Sequence, residues 1–205
     1  MLDVAVNNDR LESWAEISLA KAVNLDRILN SCKNLNTERE YLNPAKTVIR
    51  CFKRSLELDP THCNLWIEYG LFVYTVHSFC SRLLKQASEI LSMEDFESLE
   101  KQKEDLLDTT HKCFMTVIKV LNDNPEPEKV HDESWLHCYM LGKVAEKRNK
   151  PPSVYLDYYM KAVKSLQEVD ATYPLKISYN SPTHLCIEVL ELHYRIHASI
   201  LKYIE

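Results

Sequence analysis

Glycine is almost missing from this chain, with two residues in 205 where average usage would give about fourteen. Strands, hairpins and tight turns draw on glycine for positive φ, so its scarcity excludes a β-rich fold and favours helices joined through proline, asparagine and serine. It equally excludes the glycine-rich loops that cradle phosphates and the Gly-x-Ser-x-Gly turn of serine hydrolases. No apolar run approaches the ~18 residues needed to cross a bilayer, and Met1 to Arg10 is polar and acidic rather than signal-like. A soluble chain with no membrane partner is expected. Positive charge is in deficit too: 25 Lys and Arg against 30 Asp and Glu give a net charge of -5, with a pI near 5.9. Direct nucleic-acid binding, which wants a basic face, is therefore not expected.

The seven cysteines (Cys32, Cys51, Cys63, Cys80, Cys113, Cys138 and Cys186) are odd in number and contain no Cys-x-x-Cys pair. That speaks against a disulfide framework and against a zinc ribbon. Most lie beside apolar residues at helical spacing and read as small buried hydrophobes in a reducing compartment, cytosol or nucleus. Histidine and cysteine adjoin at His62/Cys63, His111/Cys113, His137/Cys138 and His184/Cys186. Ligands on one helix face need spacings of three or four, so no metal is expected. The acidic pairs Glu94/Asp95 and Glu104/Asp105 sit among lysines on a solvated face, without the desolvation that general acid-base chemistry needs. No catalytic residue, no cofactor and no enzyme activity are expected.

What is present is helical periodicity with punctuation. Trp14, Ile17, Ala22, Leu25 and Ile28 mark a first helix, and Asn43-Pro44 reads as the start of a second one, carrying Val48, Ile49, Phe52 and Leu56. Pro60 ends that helix and Thr61 is expected to cap the next. From there Leu65, Trp66, Tyr69, Phe72, Val73, Val76, Phe79, Cys80, Leu83 and Leu84 form a long stripe. Ser92 to Asp95 reads as a capping box for its partner helix, with Phe96, Leu99, Leu106, Leu107, Thr110, Phe114, Val117, Ile118 and Leu121 facing it. Residues 122 to 132, with two prolines and several acids, form a loop. A third pair follows, from Trp135, Tyr139, Leu141, Gly142 and Ala145 through the Pro151-Pro152 turn to Tyr155, Tyr159 and Ala162. Tyr173-Pro174 closes it. Ser181-Pro182 then starts a last helix bearing Leu185, Val189, Leu192, Ile196, Ile200 and Ile204.

Both glycines fall at the same place in one pattern, Trp66-x-x-Tyr69-Gly70 and Cys138-x-x-Leu141-Gly142. A glycine within a helix costs about 0.8 to 1 kcal/mol relative to alanine, so two in helical context call for close approach of a second helix. The pattern resembles the first helix of a tetratricopeptide repeat, where a large residue, a Leu-Gly pair and an aromatic line the seam. In that frame Trp14, Phe52, Pro60, Trp66, Tyr69, Gly70, Phe114, Leu141, Gly142, Tyr159 and Ala162 are the repeat-signature positions, and Ser18 stands where the first pair would have glycine. Gly142 precedes Tyr159 by seventeen residues, one more than the repeat standard of sixteen, whereas Gly70 precedes Phe114 by forty-four. The excess of twenty-eight, shared equally, lengthens each helix of the second pair by ~21 Å at 1.5 Å per residue and predicts a hairpin that projects from the solenoid. The expected architecture is a single all-α helical-repeat domain over 1–205, with a first pair at 9–60, an elongated pair at 61–121, a third pair at 133–173 and a terminal helix at 181–205. Lys and Asn at inward positions grip C-terminal carboxylates in tetratricopeptide co-chaperones. Ala15, Glu16 and Leu19, then Ile67, Glu68 and Leu71, occupy those positions here, so that clamp is absent. Lys143, Lys147, Arg148 and Lys150 read as a small basic patch that suits a helix C-terminus.

Three strings are more specific than a generic repeat. Leu65-Trp-Ile-Glu-Tyr-Gly70 running on to Ser78-Phe-Cys-Ser-Arg-Leu-Leu-Lys85, Trp135 to Lys147 with Pro151-Pro-Ser-Val-Tyr-Leu156, and His193-Tyr-Arg-Ile-His-Ala-Ser-Ile-Leu-Lys202 resemble the cabin family of calcineurin-binding proteins. The resemblance implies an interior piece of a larger nuclear scaffold, a subunit of the histone regulator (HIRA) complex that deposits histones H3-H4 outside replication. Its expected partners are the other subunits of that complex and, through them, the histones. The family's inhibition of calcineurin and its transcriptional repression are assigned to a C-terminal tail that these residues do not resemble. A regulatory binding module, one that masks a phosphatase such as calcineurin or a kinase, or that represses transcription through protein binding, is the alternative expectation.

Overall fold

The computed structural model describes residues 9–31, 38–86, 91–123, 134–176 and 184–204. Among them are seven α-helices and no strand, and no helix is long and apolar enough to cross a membrane. The chain divides into two compact units, Met1–Val120 and Leu121–Glu205.

The first unit holds α1 (Leu11–Ser31), α2 (Glu38–Leu58), α3 (Cys63–Gln86) and nearly all of α4 (Met93–Asp123). The start of α2 departs from the sequence expectation. Pro44 does not open the helix but lies inside it, six residues after Glu38. A proline there removes one backbone hydrogen bond and crowds the preceding turn, at a cost of about 3 kcal/mol. Packing offsets it: Tyr41 is 2 % exposed with its ring centroid 4.6 Å from that of Phe79, and Ala45 and Val48 are each 1 % exposed. Burying an aromatic of that size is worth about 2 to 3 kcal/mol, and with Ala45 and Val48 buried beside it the packing offsets the cost of the proline.

The α2–α3 junction also shifts by one residue. Thr61 does not cap α3; its amide and hydroxyl both donate to Asp59 Oδ1, at 2.9 and 2.7 Å, closing an Asx turn. The cap is His62, whose Nδ1 accepts from the Leu65 amide at 3.3 Å while its carbonyl accepts the first helical bond from Trp66. Trp66 Nε1 donates to the Pro60 carbonyl at 2.8 Å and so clamps the turn that Pro60 makes.

Helices α3 and α4 form the long antiparallel hairpin. His77 Nδ1 donates to the Lys103 carbonyl at 2.9 Å near its middle, and Ser92 Oγ accepts the Asp95 amide at 3.1 Å where α4 begins. Half of the expected capping box forms: the Asp95 carboxylate accepts from the Ser92 hydroxyl itself. Length is not confined to this pair, however. Helix α2 reaches along α3 from Phe52, stacked on Tyr69 at 5.3 Å, to Tyr41 on Phe79, so α3 is flanked over most of its course. The expected projection thus reduces to the turns beyond Phe79, because α2 begins at Glu38 and not at Pro44.

The second unit holds α5 (Ser134–Lys147), α6 (Pro152–Glu168) and α7 (Cys186–Ile204). With both glycines spent inside helices, the left-handed positions that end α5 and α6 fall to Asn149 (φ 51) and Asp170 (φ 57). Each sits in a Schellman closure. Lys150 N donates to Ala145 O and Asn149 N to Glu146 O; Ala171 N donates to Leu166 O and Asp170 N to Gln167 O. Asp170 is exposed, so replacing it with glycine relieves the left-handed strain without losing a contact. Asp170→Gly is expected to stabilise this unit by about 0.5 to 1 kcal/mol, read as a rise in the urea midpoint at unchanged slope.

Two expectations for the last helix change. Leu185 lies outside α7 with φ 50, and its carbonyl accepts the first helical bond from Val189. The buried stripe is Cys186, Val189, Leu192, Ile196 and Ser199, whereas Ile200 and Ile204 are 38 and 74 % exposed. A stripe drawn through residues 196, 200 and 204 slips round the helix by 40° at each step of four, since 3.6 residues make a turn. The proposed loop at 122–132, apart from the end of α4, and the Ser181-Pro182 start lie outside the described residues.

Candidate protein-interaction site

Each glycine sits where a second helix comes too close for a side chain. A Cβ on Gly70 would lie 2.8 Å from Phe114 Cε2 and 3.1 Å from Cys113 Cβ, so α3 and α4 meet without room for a methyl group. A Cβ on Gly142 would lie 2.3 Å from Tyr159 Cε1. Phe114 and Tyr159, the aromatics that the sequence reading pairs with these glycines, are both fully buried. So are Phe52 and Ala162, while Tyr69 and Leu141 are 3 and 1 % exposed. Trp14 and Trp66 are half-buried, and Pro60 is exposed at the turn it makes. At the position where the first pair lacks glycine, Ser18 is fully buried and its hydroxyl donates to the Ala15 carbonyl at 2.8 Å.

A polar network ties α7 to the α5–α6 pair, and the sequence reading missed it. Tyr159 Oη donates to Glu146 Oε2 at 2.9 Å; Lys202 Nζ lies 3.2 Å from Glu146 Oε1, and Arg195 Nη1 3.8 Å from Glu146 Oε2. Tyr139 Oη donates to Glu191. The Tyr139 and Tyr159 rings, 5.9 Å apart, join the two halves, and Lys143 Nζ stands 5.1 Å over the Tyr139 ring. Lys143 is therefore not part of a solvated basic patch with Lys147 and Lys150. Burial, helped by the charge of Arg195, pushes its ammonium below the ordinary lysine range. The available signal was tyrosine at position 159, where the second pair has Phe114: a buried hydroxyl calls for an acceptor.

Burial alone would raise the Glu146 carboxyl. Hydrogen bonds from Tyr159 and Lys202, with the charges of Arg195 and Lys202, outweigh it and hold the group below the usual glutamate range. A carboxyl whose folded pKa is depressed adds stability that is present above its unfolded pKa and is lost as pH falls through the folded one. Glu146→Gln is expected to weaken the second unit by about 2 kcal/mol near neutrality, from the loss of charged hydrogen bonds. In urea unfolding, the gap between the two proteins should shrink below pH ~4.5 as the native carboxylate protonates.

In the first unit, Asp26 Oδ1 and Tyr41 Oη are buried with no hydrogen-bond partner among the described residues, and burial raises both groups, Tyr41 being raised further by the Asp26 charge. Burial likewise pushes the Cys80 thiol up to about 11 and that of Cys113 up to about 12, which leaves both unreactive near neutrality. Among the described residues no group of three His, Cys, Asp or Glu side chains could hold a metal ion. A cavity between α6 and α7, lined by Val163, Leu166, Ala171, Tyr173, Val189 and His193, has a volume of about 120 Å³. That falls below the 300 Å³ or so of the smallest ordinary ligand pockets.

The described residues form helix pairs with close-packed seams at Gly70 and Gly142 and with apolar outer residues. Those residues include Val23, Met93, Met160 and, on α7, Ile187, Tyr194, Leu201 and Tyr203. Exposed apolar surface on helices is what a protein partner can cover. No protein-family model matches this chain.

Proposed function

We propose that this chain is a non-catalytic protein-interaction scaffold built from tetratricopeptide-like helix pairs, and that it serves in a nuclear histone-chaperone complex of the HIRA type. The observation that carries the scaffold reading is the repeated seam: Gly70 against Phe114 and Gly142 against Tyr159, one in each unit. Repeats of this kind bury a core only between neighbouring helices and leave their outer faces for partners. The choice of complex rests on the three strings at 65–85, 135–156 and 193–202, of which the first and second surround the two glycines and the third forms much of α7.

The test is capture from nuclear extract on immobilised residues 1–205 at moderate salt, with quantitative identification of what is retained. Enrichment of HIRA-complex subunits, with or without histones H3-H4, is the expected outcome. Enrichment of calcineurin in their absence would replace this reading with that of a phosphatase-masking module, and retention of neither would remove the assignment to the complex.

A further inference from the structure

The cavity between α6 and α7 is shaped by the closure that ends α6. At Asp170 (φ 57) the chain turns back, and the Ala171 amide donates to the Leu166 carbonyl at 2.9 Å. That brings Ala171, Thr172 and Tyr173 to one cavity with Val189 and His193 of α7. Its floor is apolar: Val163, Leu166, Ala171 and Val189 are each at most 8 % exposed. Its mouth is polar, with Gln167 and Thr172 exposed and His193 half-buried. Alanine at 171 leaves open a space that a longer side chain there would fill.

One atom at the mouth has a fixed role. His193 Nδ1 lies 2.9 Å from the Val189 carbonyl oxygen, which can only accept, so Nδ1 carries the hydrogen. In the neutral ring Nε2 is then the acceptor. The Tyr173 ring stands edge-on to the imidazole, 5.1 Å away at 70°, and limits its rotation. Gln167 and Thr172 add side-chain donors.

The volume of about 120 Å³ sets the size of the guest. An apolar cavity of about 150 Å³ holds benzene, so this one takes a group of about four to six carbons. A free molecule of that size has too few atoms to bind tightly, whereas a side chain supplied by a partner adds its burial to that of the surrounding interface. A peptide also brings the polar groups that the mouth accommodates: an amide hydrogen for His193 Nε2 and a carbonyl oxygen for Gln167 or Thr172.

We propose that this cavity is an anchor pocket for one leucine-sized side chain of a partner polypeptide, whose own backbone amide donates to His193 Nε2. The occupant, being a protein, rests on the scaffold reading but on no particular complex. A single-residue probe reports on the pocket alone, so a negative result leaves capture from nuclear extract as a separate test.

The probe is N-acetyl-leucinamide, titrated into isotope-labelled residues 1–205 and followed by amide chemical shifts. Saturable shifts confined to the surroundings of Val163, Ala171, Val189 and His193 are expected, with a Kd in the millimolar range. N-acetyl-alaninamide, with a shorter side chain, should bind at least about tenfold more weakly. Ala171→Leu, which fills the space from within, should abolish the response and raise the thermal midpoint of the second unit. Methylating the leucine nitrogen of the probe removes the hydrogen offered to His193; it should weaken binding about tenfold in the natural protein and leave it unchanged in His193→Phe. Shifts absent throughout the millimolar range, equal binding of the alanine compound, an undiminished response in Ala171→Leu, or a methylation penalty of the same size in both proteins would each overturn the proposal. Saturable binding of benzene without binding of the leucine compound would also overturn it, and would reassign the cavity to a small apolar molecule.

Discussion

Phe114→Ala is expected to destabilise the first unit by about 4 kcal/mol, within the 3 to 5 kcal/mol range for deleting a buried phenylalanine. Phe114 is fully buried, its ring edge is the nearest atom to the empty side of Gly70, and Cys113, Leu107 and Val117 around it on α4 are each no more than 1 % exposed. The neighbours cannot collapse into the space, since α3 already approaches α4 as closely as a glycine allows and α2 holds its other side through Phe52, Tyr69 and Phe72. Domains are stable by only about 5 to 15 kcal/mol, so the loss takes a large fraction of the total. Urea unfolding followed by far-ultraviolet circular dichroism would register it as an early transition.

Gly142→Ala is expected to cost the second unit about 2 kcal/mol, although alanine is the better helix former. The intrinsic gain is about 1 kcal/mol. Against it stands a methyl group 2.3 Å from Tyr159 Cε1 and 2.6 Å from Cδ1, well inside contact distance. The ring has nowhere to go: it is fully buried, its hydroxyl is held by Glu146, and Tyr139 and Tyr155 lie 5.9 and 6.3 Å away, centroid to centroid. Overpacking of this kind costs 1 to 3 kcal/mol or more, and moving the ring would also break the hydrogen bond. A double-mutant cycle isolates the clash. With Tyr159→Leu in place the added methyl has space, so the two losses should sum to less than their separate values by at least about 1 kcal/mol.

These seams were legible in the sequence because the chain has only two glycines, and a glycine within a strong apolar stripe has few uses besides close helix approach. Counting forward from Gly142 then pointed to Tyr159, seventeen residues on, while Phe114, forty-four residues past Gly70, came from the apolar stripe of the partner helix. Helix ends were less legible. Pro44 reads locally as a start and yet lies within α2, because Tyr41, three residues upstream, finds Phe79 across the interface. The cap of α3 moved from Thr61 to His62 because Asp59 takes the threonine hydroxyl first. Neither competitor is visible to periodicity.

The network around Glu146 was hidden for a different reason. Its members come from three helices and span 139 to 202, and a lone glutamate on a helix gives no sign that a tyrosine and two cations converge on it. The second face of α7 was hidden by the first: a stripe drawn through Ile196, Ile200 and Ile204 merged a buried side with an exposed one. Only the exposures separate them.

Titration of purified HIRA-complex subunits against residues 1–205, with calcineurin activity followed in parallel, tests most directly whether these helix pairs are a histone-chaperone scaffold. A scaffold of that complex binds at least one subunit saturably, with micromolar or tighter Kd, and leaves the phosphatase rate unchanged. Absence of binding to every subunit, together with inhibition of calcineurin by the same protein, would contradict it.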